Sequence, residues 1–247
     1  MNKLKMIHKK NENFRKKGQN VYINKILKGH ITGLESDVYI NQIFYPVRTL
    51  GFGSRVGLWF QGCSIHCKGC ISEHTRAFDE KYLMNLNYVF YKLKELKKFN
   101  PDGITISGGE PFDQPNALSK ILKFVRKLKY KEILVYSGYN YGYLKNNYKD
   151  ILKNIDILIS GPFMVNLPGS KIWRGSDNQE IIILSKKTKN KYKDINLNDM
   201  LYLENRNIQI EVFNDRILII GIPKRGDLEK IILNLEEYEK RESVFSL

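Results

Sequence analysis

The three cysteines of this 247-residue chain all fall within eight positions, in Gly62-Cys63-Ser64-Ile65-His66-Cys67-Lys68-Gly69-Cys70. The spacing C-x3-C-x2-C constrains the chain more than any other feature. Three thiolates on one short loop can grip a single metal centre, and a cubane of four irons normally takes four cysteines. Three would leave one iron open to another ligand. An apolar, strand-like run from Val56 to Gln61 leads into the loop, and Gly62 and Gly69 let the backbone wrap a bulky object. Two other readings stand beside a [4Fe-4S] cluster. One is a metal-free cysteine cluster. The other is structural zinc with His66 or His74 as fourth ligand, although the second ligand pair usual for zinc is missing.

Downstream, short apolar runs alternate with amphipathic ones. Strands are expected at Val38–Tyr45, Val56–Gln61, Gly103–Ser107, Glu132–Tyr136, Ile155–Ile159 and Gln179–Leu184. The periodicity predicts helices over Asp79–Lys98 and Asp113–Lys129, the first with Leu83, Leu86, Val89, Phe90, Leu93 and Leu96 on its apolar stripe. Asp113 is the expected N-cap of the second. Such alternation implies an α/β fold with a parallel sheet covered by helices, in which ligands bind at the strands' C-terminal ends. The cluster loop, Gly108–Pro111, Ser137–Tyr139 and Ser160–Phe163 all fall at those ends.

Several of these turns carry a resemblance. C-x3-C-x2-C after an apolar strand, followed by Gly108-Gly109-Glu110-Pro111, resembles the cluster and G-G-E-P motifs of the radical S-adenosylmethionine (SAM) enzymes. Gly51-Phe52-Gly53-Ser54-Arg55 is similar to the G-P-G-x-R segment of glycyl-radical-enzyme activases, with Phe52 in place of proline. Arg55 reads either as a surface charge at a strand start or as a functional residue. Tyr136–Tyr139, Gly161-x-Phe163 and Trp173-Arg174-Gly175-Ser176-Asp177-Asn178-Gln179 resemble signatures of one subgroup, the activating enzymes of anaerobic (class III) ribonucleotide reductase. Ser160 stands where that subgroup often has aspartate. The match runs over about residues 38 to 185.

The resemblance implies a partial, open parallel (β/α) barrel. It implies that Cys63, Cys67 and Cys70 ligate a [4Fe-4S] cluster whose open iron chelates SAM. Gly108, Gly109, Glu110 and Pro111 would then hold the amino group of SAM, with Ser137 near its ribose or methionyl portion. Arg174, Ser176, Asn178 and Gln179 would line the same rim. Reductive cleavage of SAM to a 5′-deoxyadenosyl radical would be followed by hydrogen abstraction from a glycine of a partner glycyl-radical enzyme. The electron would come from a flavodoxin- or ferredoxin-type donor. An alternative is a radical SAM enzyme acting on a peptide, nucleoside or other small molecule. The lack of further cysteines excludes any enzyme that needs an auxiliary cluster fully ligated by cysteine.

Charge and flanks bear on partners and organisation. A net charge of +15 invites a nucleic-acid reading, and a zinc-bearing nucleic-acid module is the distant alternative. The basic residues are dispersed, however, apart from Met1–Lys17 and Lys186–Lys193, and a basic surface equally suits an acidic electron donor. The absence of an apolar membrane-spanning run or secretory h-region, and cysteines gathered on one loop, point to a reducing, cytoplasmic setting. Four segments are expected. These are a basic extension (1–37), the core (38–185), a basic linker read as a solvated loop (186–206), and a C-terminal appendage (207–247). The appendage reads as a hairpin about Asn214-Asp215 followed by a helix over Asp227–Glu242.

Overall fold

A computed structural model describes residues 37–167, 169–197, 208–213, 216–224, 226–231 and 233–234. The expected N-terminal extension, apart from residue 37, lies outside the described residues, as do the hairpin turn and most of the expected C-terminal helix. The order of elements is β1 (Asp37–Val47), β2 (Arg55–Phe60), β3 (Leu83–Asn85), α1 (Leu86–Lys97), β4 (Gly103–Gly108), α2 (Pro115–Lys127), β5 (Ile133–Ser137), α3 (Tyr141–Asn147), α4 (Lys149–Leu152), β6 (Ile157–Ser160), β7 (Glu180–Ile183), α5 (Lys186–Lys191), β8 (Gln209–Val212) and β9 (Ile217–Ile220).

Seven strands form one mixed sheet in the order β3-β1-β2-β4-β5-β6-β7. The central four, β2, β4, β5 and β6, run parallel, and β1, β3 and β7 add antiparallel edges. The parallel strands are nearly all-apolar because both of their faces are covered. Val56, Leu58, Phe60, Ile104, Ile106, Ile133 and Val135 share one core with Val89, Leu93 and Leu96 of α1 and with Leu118, Ile121 and Leu122 of α2. Alternate residues Leu134, Ile157 and Ile159 meet Ile172, Trp173 and Tyr192 on the other face. Among the described residues no helix is long and apolar enough to cross a membrane.

Three local expectations are corrected. The helix predicted from Asp79 begins only at Leu86. Asp79 caps a 3-10 turn at Glu80–Tyr82, Leu83–Asn85 pairs with β1, and the Asn85 side chain accepts from the Asn87 amide at 2.9 Å to start α1. Leu83 is therefore exposed rather than core. Asp113 is not the cap of α2. It ends a 3-10 turn, Pro111–Asp113, and Pro115, preset for a first helical turn, opens the helix. The loop expected at Lys186–Lys193 is helical over Lys186–Lys191, because the Ser185 hydroxyl caps the Thr188 amide at 3.2 Å and Thr188 and Tyr192 are buried.

Arg55 is neither a surface charge nor at the cluster rim. It is fully buried at the first position of β2, the end of the sheet away from the cysteines. Its Nε donates to Thr105 Oγ1 at 2.7 Å, Nη1 to Glu132 Oε1 at 2.8 Å and Nη2 to the Ile104 carbonyl at 2.9 Å. The other Glu132 oxygen accepts from Tyr192 Oη at 2.7 Å and Lys191 Nζ at 2.9 Å, which ties α5 to the sheet.

The expected hairpin forms: β8 and β9 pair antiparallel, from Gln209 opposite Ile220 to Val212 opposite Ile217. Residues 227–231, 233 and 234 are helical. The hairpin packs on β1 through Ile220 against Phe44, Val47 and Leu50.

Candidate functional site

The cluster loop is anchored at both ends by backbone. Gly109 N donates to the Phe60 carbonyl and Glu110 N to the Gly62 carbonyl, each at 2.8 Å, so the ends of β2 and β4 are joined where the loop begins. The chain then returns past that point. Gly62 N donates to the Thr75 carbonyl at 2.7 Å and Cys63 N to the Arg76 carbonyl at 2.9 Å. The Arg76 guanidinium reaches back to the Cys67 carbonyl. Glycine at 109 is required by chain-to-chain approach, since a Cβ there would lie 2.0 Å from the Gly62 oxygen. The bonded Gly109 amide therefore holds this turn against the end of β2.

Glu110 is the keystone of the rim. Its side chain is 2% exposed, and its carboxylate accepts from Phe112 N at 2.9 Å, Ser137 Oγ at 3.0 Å and Gly138 N at 2.7 Å. It thus couples the turn after β4 to the turn after β5. Burial pushes its pKa up to about 7 against the opposing pull of these three donors. Ser137 is buried as well, and its oxygen also accepts from Tyr139 N at 3.1 Å.

The Trp173–Gln179 stretch is a clip for the turn after β6. Gln179 donates from Nε2 to the Gly161 carbonyl at 3.0 Å and accepts at Oε1 from Gly175 N at 2.8 Å. Asn178 Nδ2 donates to the Pro162 carbonyl at 2.7 Å, and Ser176 Oγ accepts from Met164 N at 3.0 Å. Arg174 is buried and donates to the Leu197 carbonyl at 2.7 Å. Of the four polar residues expected on the rim, Gln179 lines the cavity, while Arg174, Ser176 and Asn178 stand behind it. Ser160, at the aspartate position of the subgroup, donates to the Tyr139 carbonyl at 2.8 Å.

Two contributors were not read from the sequence. Asp113 Oδ2 accepts from the Ser64 amide at 2.6 Å, and Oδ1 accepts from Tyr139 Oη at 2.7 Å and Ser64 Oγ at 3.0 Å. This network pins the residue after Cys63 to the turns after β4 and β5. Burial pushes the Tyr139 hydroxyl up to about 12, so it stays a donor throughout the ordinary pH range. The second is the C-terminal hairpin. A cavity of about 620 Å³ holds Cys63, Cys67 and Cys70 together with Gly108–Glu110, and residues 218–224 form part of its wall.

The donor set suits an iron–sulfur cluster. Three half-buried thiols open on one cavity of cofactor size, and Gly69, at φ +71°, allows the sharp turn between the last two. Burial raises the Cys63 and Cys70 thiols above their ordinary value, so both are neutral near pH 7 until a cluster displaces their protons. No group of three or more His, Cys, Asp or Glu side chains among the described residues is arranged to hold one ion. In a cubane each thiolate binds a different iron.

These features are those of a 4Fe-4S single cluster domain, and the family model of that name matches residues 49–182. Among curated proteins the chain is similar to the anaerobic ribonucleoside-triphosphate reductase-activating proteins of Enterobacteria phage T4, Haemophilus influenzae and Escherichia coli. The T4 protein is 34% identical over 134 residues, covering 53% of this chain and 85% of the relative. The Haemophilus protein is 33% identical over 146 residues (56% and 94%), and the Escherichia protein 30% over 154 residues (56% and 94%). The chain belongs to this family of activating proteins, a subgroup of the radical SAM enzymes.

Proposed function

We propose that this protein generates the glycyl radical of an anaerobic ribonucleoside-triphosphate reductase. Cys63, Cys67 and Cys70 would each ligate one iron of a [4Fe-4S] cluster, leaving the fourth for the amino and carboxylate groups of SAM. When bound, the cluster supplies the electron that cleaves SAM to methionine and a 5′-deoxyadenosyl radical. That radical would take a hydrogen atom from a glycine Cα of the reductase, giving 5′-deoxyadenosine and the glycyl radical. An acidic flavodoxin- or ferredoxin-type donor would deliver the electron, consistent with the net charge of +15. Gly108 and Gly109 shape the SAM side of the cavity, and Pro111 lies outside its lining, opening the 3-10 turn behind them. Glu110 and Ser137 hold that turn in place, and Gln179 lines the far rim. Arg174, Ser176 and Asn178 act from behind by fixing the Gly161–Phe163 turn.

The mixed sheet is read as the wall of a partial, open barrel of radical SAM type, spanning the core at 38–185. Residues 1–37, 186–206 and 207–247 are read as additions to it.

The observation that carries this reading is the hydrogen bond between Glu110 N and the Gly62 carbonyl. It joins the cysteine loop to the Gly108–Pro111 turn on one cavity at the strands' C-terminal ends.

The test is anaerobic reconstitution with iron and sulfide, reduction with SAM, and assay of 5′-deoxyadenosine with and without the reductase. We expect 5′-deoxyadenosine in both cases and a glycyl radical on the reductase by EPR. Cys63→Ala, Cys67→Ala and Cys70→Ala should each abolish SAM cleavage. One fully active cysteine variant would refute the ligand assignment, and a cleaving enzyme that leaves the reductase without a radical would move the substrate elsewhere.

A further inference from the structure

The C-terminal appendage lies outside the stretch that the family model matches, yet it enters the cavity. Its hairpin is fixed to the core by specific bonds rather than trailing from it. Gln209 Oε1 accepts from Arg48 N at 2.9 Å, Gln209 Nε2 donates to the Pro46 carbonyl at 2.7 Å, and Thr49 Oγ1 donates to the Ile220 carbonyl at 3.1 Å. Ile220 is 2% exposed among Phe44, Val47 and Leu50. The chain leaves β9 through Gly221, at φ +136°, and residues 221–224 then run along the cavity. Lys224 both lines the cavity and is exposed, which puts it at the mouth. Its amide is held by Asp227 Oδ2 at 2.8 Å, so the backbone under the side chain is fixed.

The matched stretch already contains the cysteine loop and the Gly108–Pro111 turn, and so carries the cofactor chemistry. Residues 218–224, 226, 228 and 229 add to it an apolar surface, with Leu218, Ile222 and Leu228, and a cation at the entrance. A large partner cannot bring its globular body into 620 Å³. It must offer a narrow extended segment, and a glycine, with no side chain, lets the backbone of that segment approach the cavity most closely.

We propose that residues 218–224 and 226–229 are the specificity wall for the glycine-bearing segment of the reductase, with Lys224 binding oxygen acceptors of that segment as it enters. This inference rests on the functional reading above and adds to it the part of this chain that recognises the partner.

The experiment compares the parent with Lys224→Ala and Lys224→Glu in the reconstituted 247-residue chain. Iron content and melting temperature serve as folding controls. Two rates are measured: 5′-deoxyadenosine formation from SAM without the reductase, and glycyl-radical formation against reductase concentration. Lys224→Glu should raise KM for the reductase about tenfold, corresponding to about 1.4 kcal/mol, and Lys224→Ala should raise it less. Cleavage of SAM alone should fall by less than KM for the reductase rises, because the Lys224 side chain is exposed at the mouth of the cavity. Unchanged KM in both variants would overturn the inference while leaving the functional reading intact. A parallel fall in both rates would also overturn it, by assigning Lys224 to SAM binding or to the fold. A parent that cleaves no SAM would overturn the functional reading itself, and the inference with it.

Discussion

Replacing Glu132 by leucine should destabilise the protein severely without touching its chemistry. Glu132 is the only carboxylate bonded to the wholly buried Arg55 among the ion pairs of the described residues, and it receives Tyr192 and Lys191 on its other oxygen. Glu132→Leu leaves a guanidinium in the sheet with only neutral acceptors, the Thr105 hydroxyl and the backbone carbonyls of Phe52, Ile104 and residue 132, and no countercharge. Breaking a buried pair in this way costs about 3–5 kcal/mol. For a chain of this size each kcal/mol moves the melting temperature by about 2–4 °C, so a fall of about 6–20 °C is expected. Removing both partners is different, because an apolar pair of similar volume carries no desolvated charge. Arg55→Met with Glu132→Leu should recover most of the loss. The assay is thermal unfolding of cluster-free protein by circular dichroism, completed as a double-mutant cycle. SAM cleavage per folded molecule at 25 °C should match the parent, since the pair lies at the N-terminal end of the strands. A single variant within about 1 kcal/mol of the parent, or a double variant as unstable as the single, would refute the argument.

Glu110→Gln tests the rim through pH. The folded carboxyl, raised from 4.5 to about 7, binds its proton more tightly than the unfolded one. Its contribution is therefore present below about pH 4.5 and is lost as pH rises through about 7, a loss of about 3 kcal/mol at 1.36 kcal/mol per unit. Urea midpoints of the cluster-free parent should fall from pH 5 to pH 8, and the glutamine variant should lack that part of the slope; equal slopes would remove Glu110 as the cause. Tyr139→Phe deletes the hydroxyl that bonds Asp113 and Ser64, at a cost of about 1 kcal/mol. The reconstituted variant should lose its cluster to a chelator several-fold faster with unchanged secondary structure, whereas an unchanged rate would deny Tyr139 a role in holding the cysteine loop.

Much of the fold was legible because it rests on local pattern. The interior of Glu132–Tyr136 is wholly apolar and that of Gly103–Ser107 is apolar except for Thr105, as two-sided burial demands, and the runs form β5 and β4 within one residue. Errors came where a side chain overrode periodicity. Leu83 falls in the helical stripe of α1, but Asn85 caps the helix after it and leaves Leu83 on an edge strand. Asp113 has the chemistry of a cap and stands just before a helix, yet Ser64 lies close enough to take its carboxylate. Arg55 read as either a surface charge or a functional residue, and not as a buried one, because its two closest side-chain partners, Thr105 and Glu132, are remote in sequence.

Consecutive residues were enough to specify the chemistry. Three cysteines at C-x3-C-x2-C, a Gly-Gly-Glu-Pro turn after an apolar strand and the Trp173–Gln179 stretch are all local patterns. How those residues divide their work emerged only from the folded chain. Glu110 and Ser137 bond one another rather than standing free, Arg174 and Ser176 lie behind the rim, and a hairpin more than a hundred residues beyond the cysteines forms part of their cavity. Spacing along a chain determines which groups are available. Which of them are left over for a ligand depends on hydrogen-bond partners and burial, and those are set only when distant strands meet.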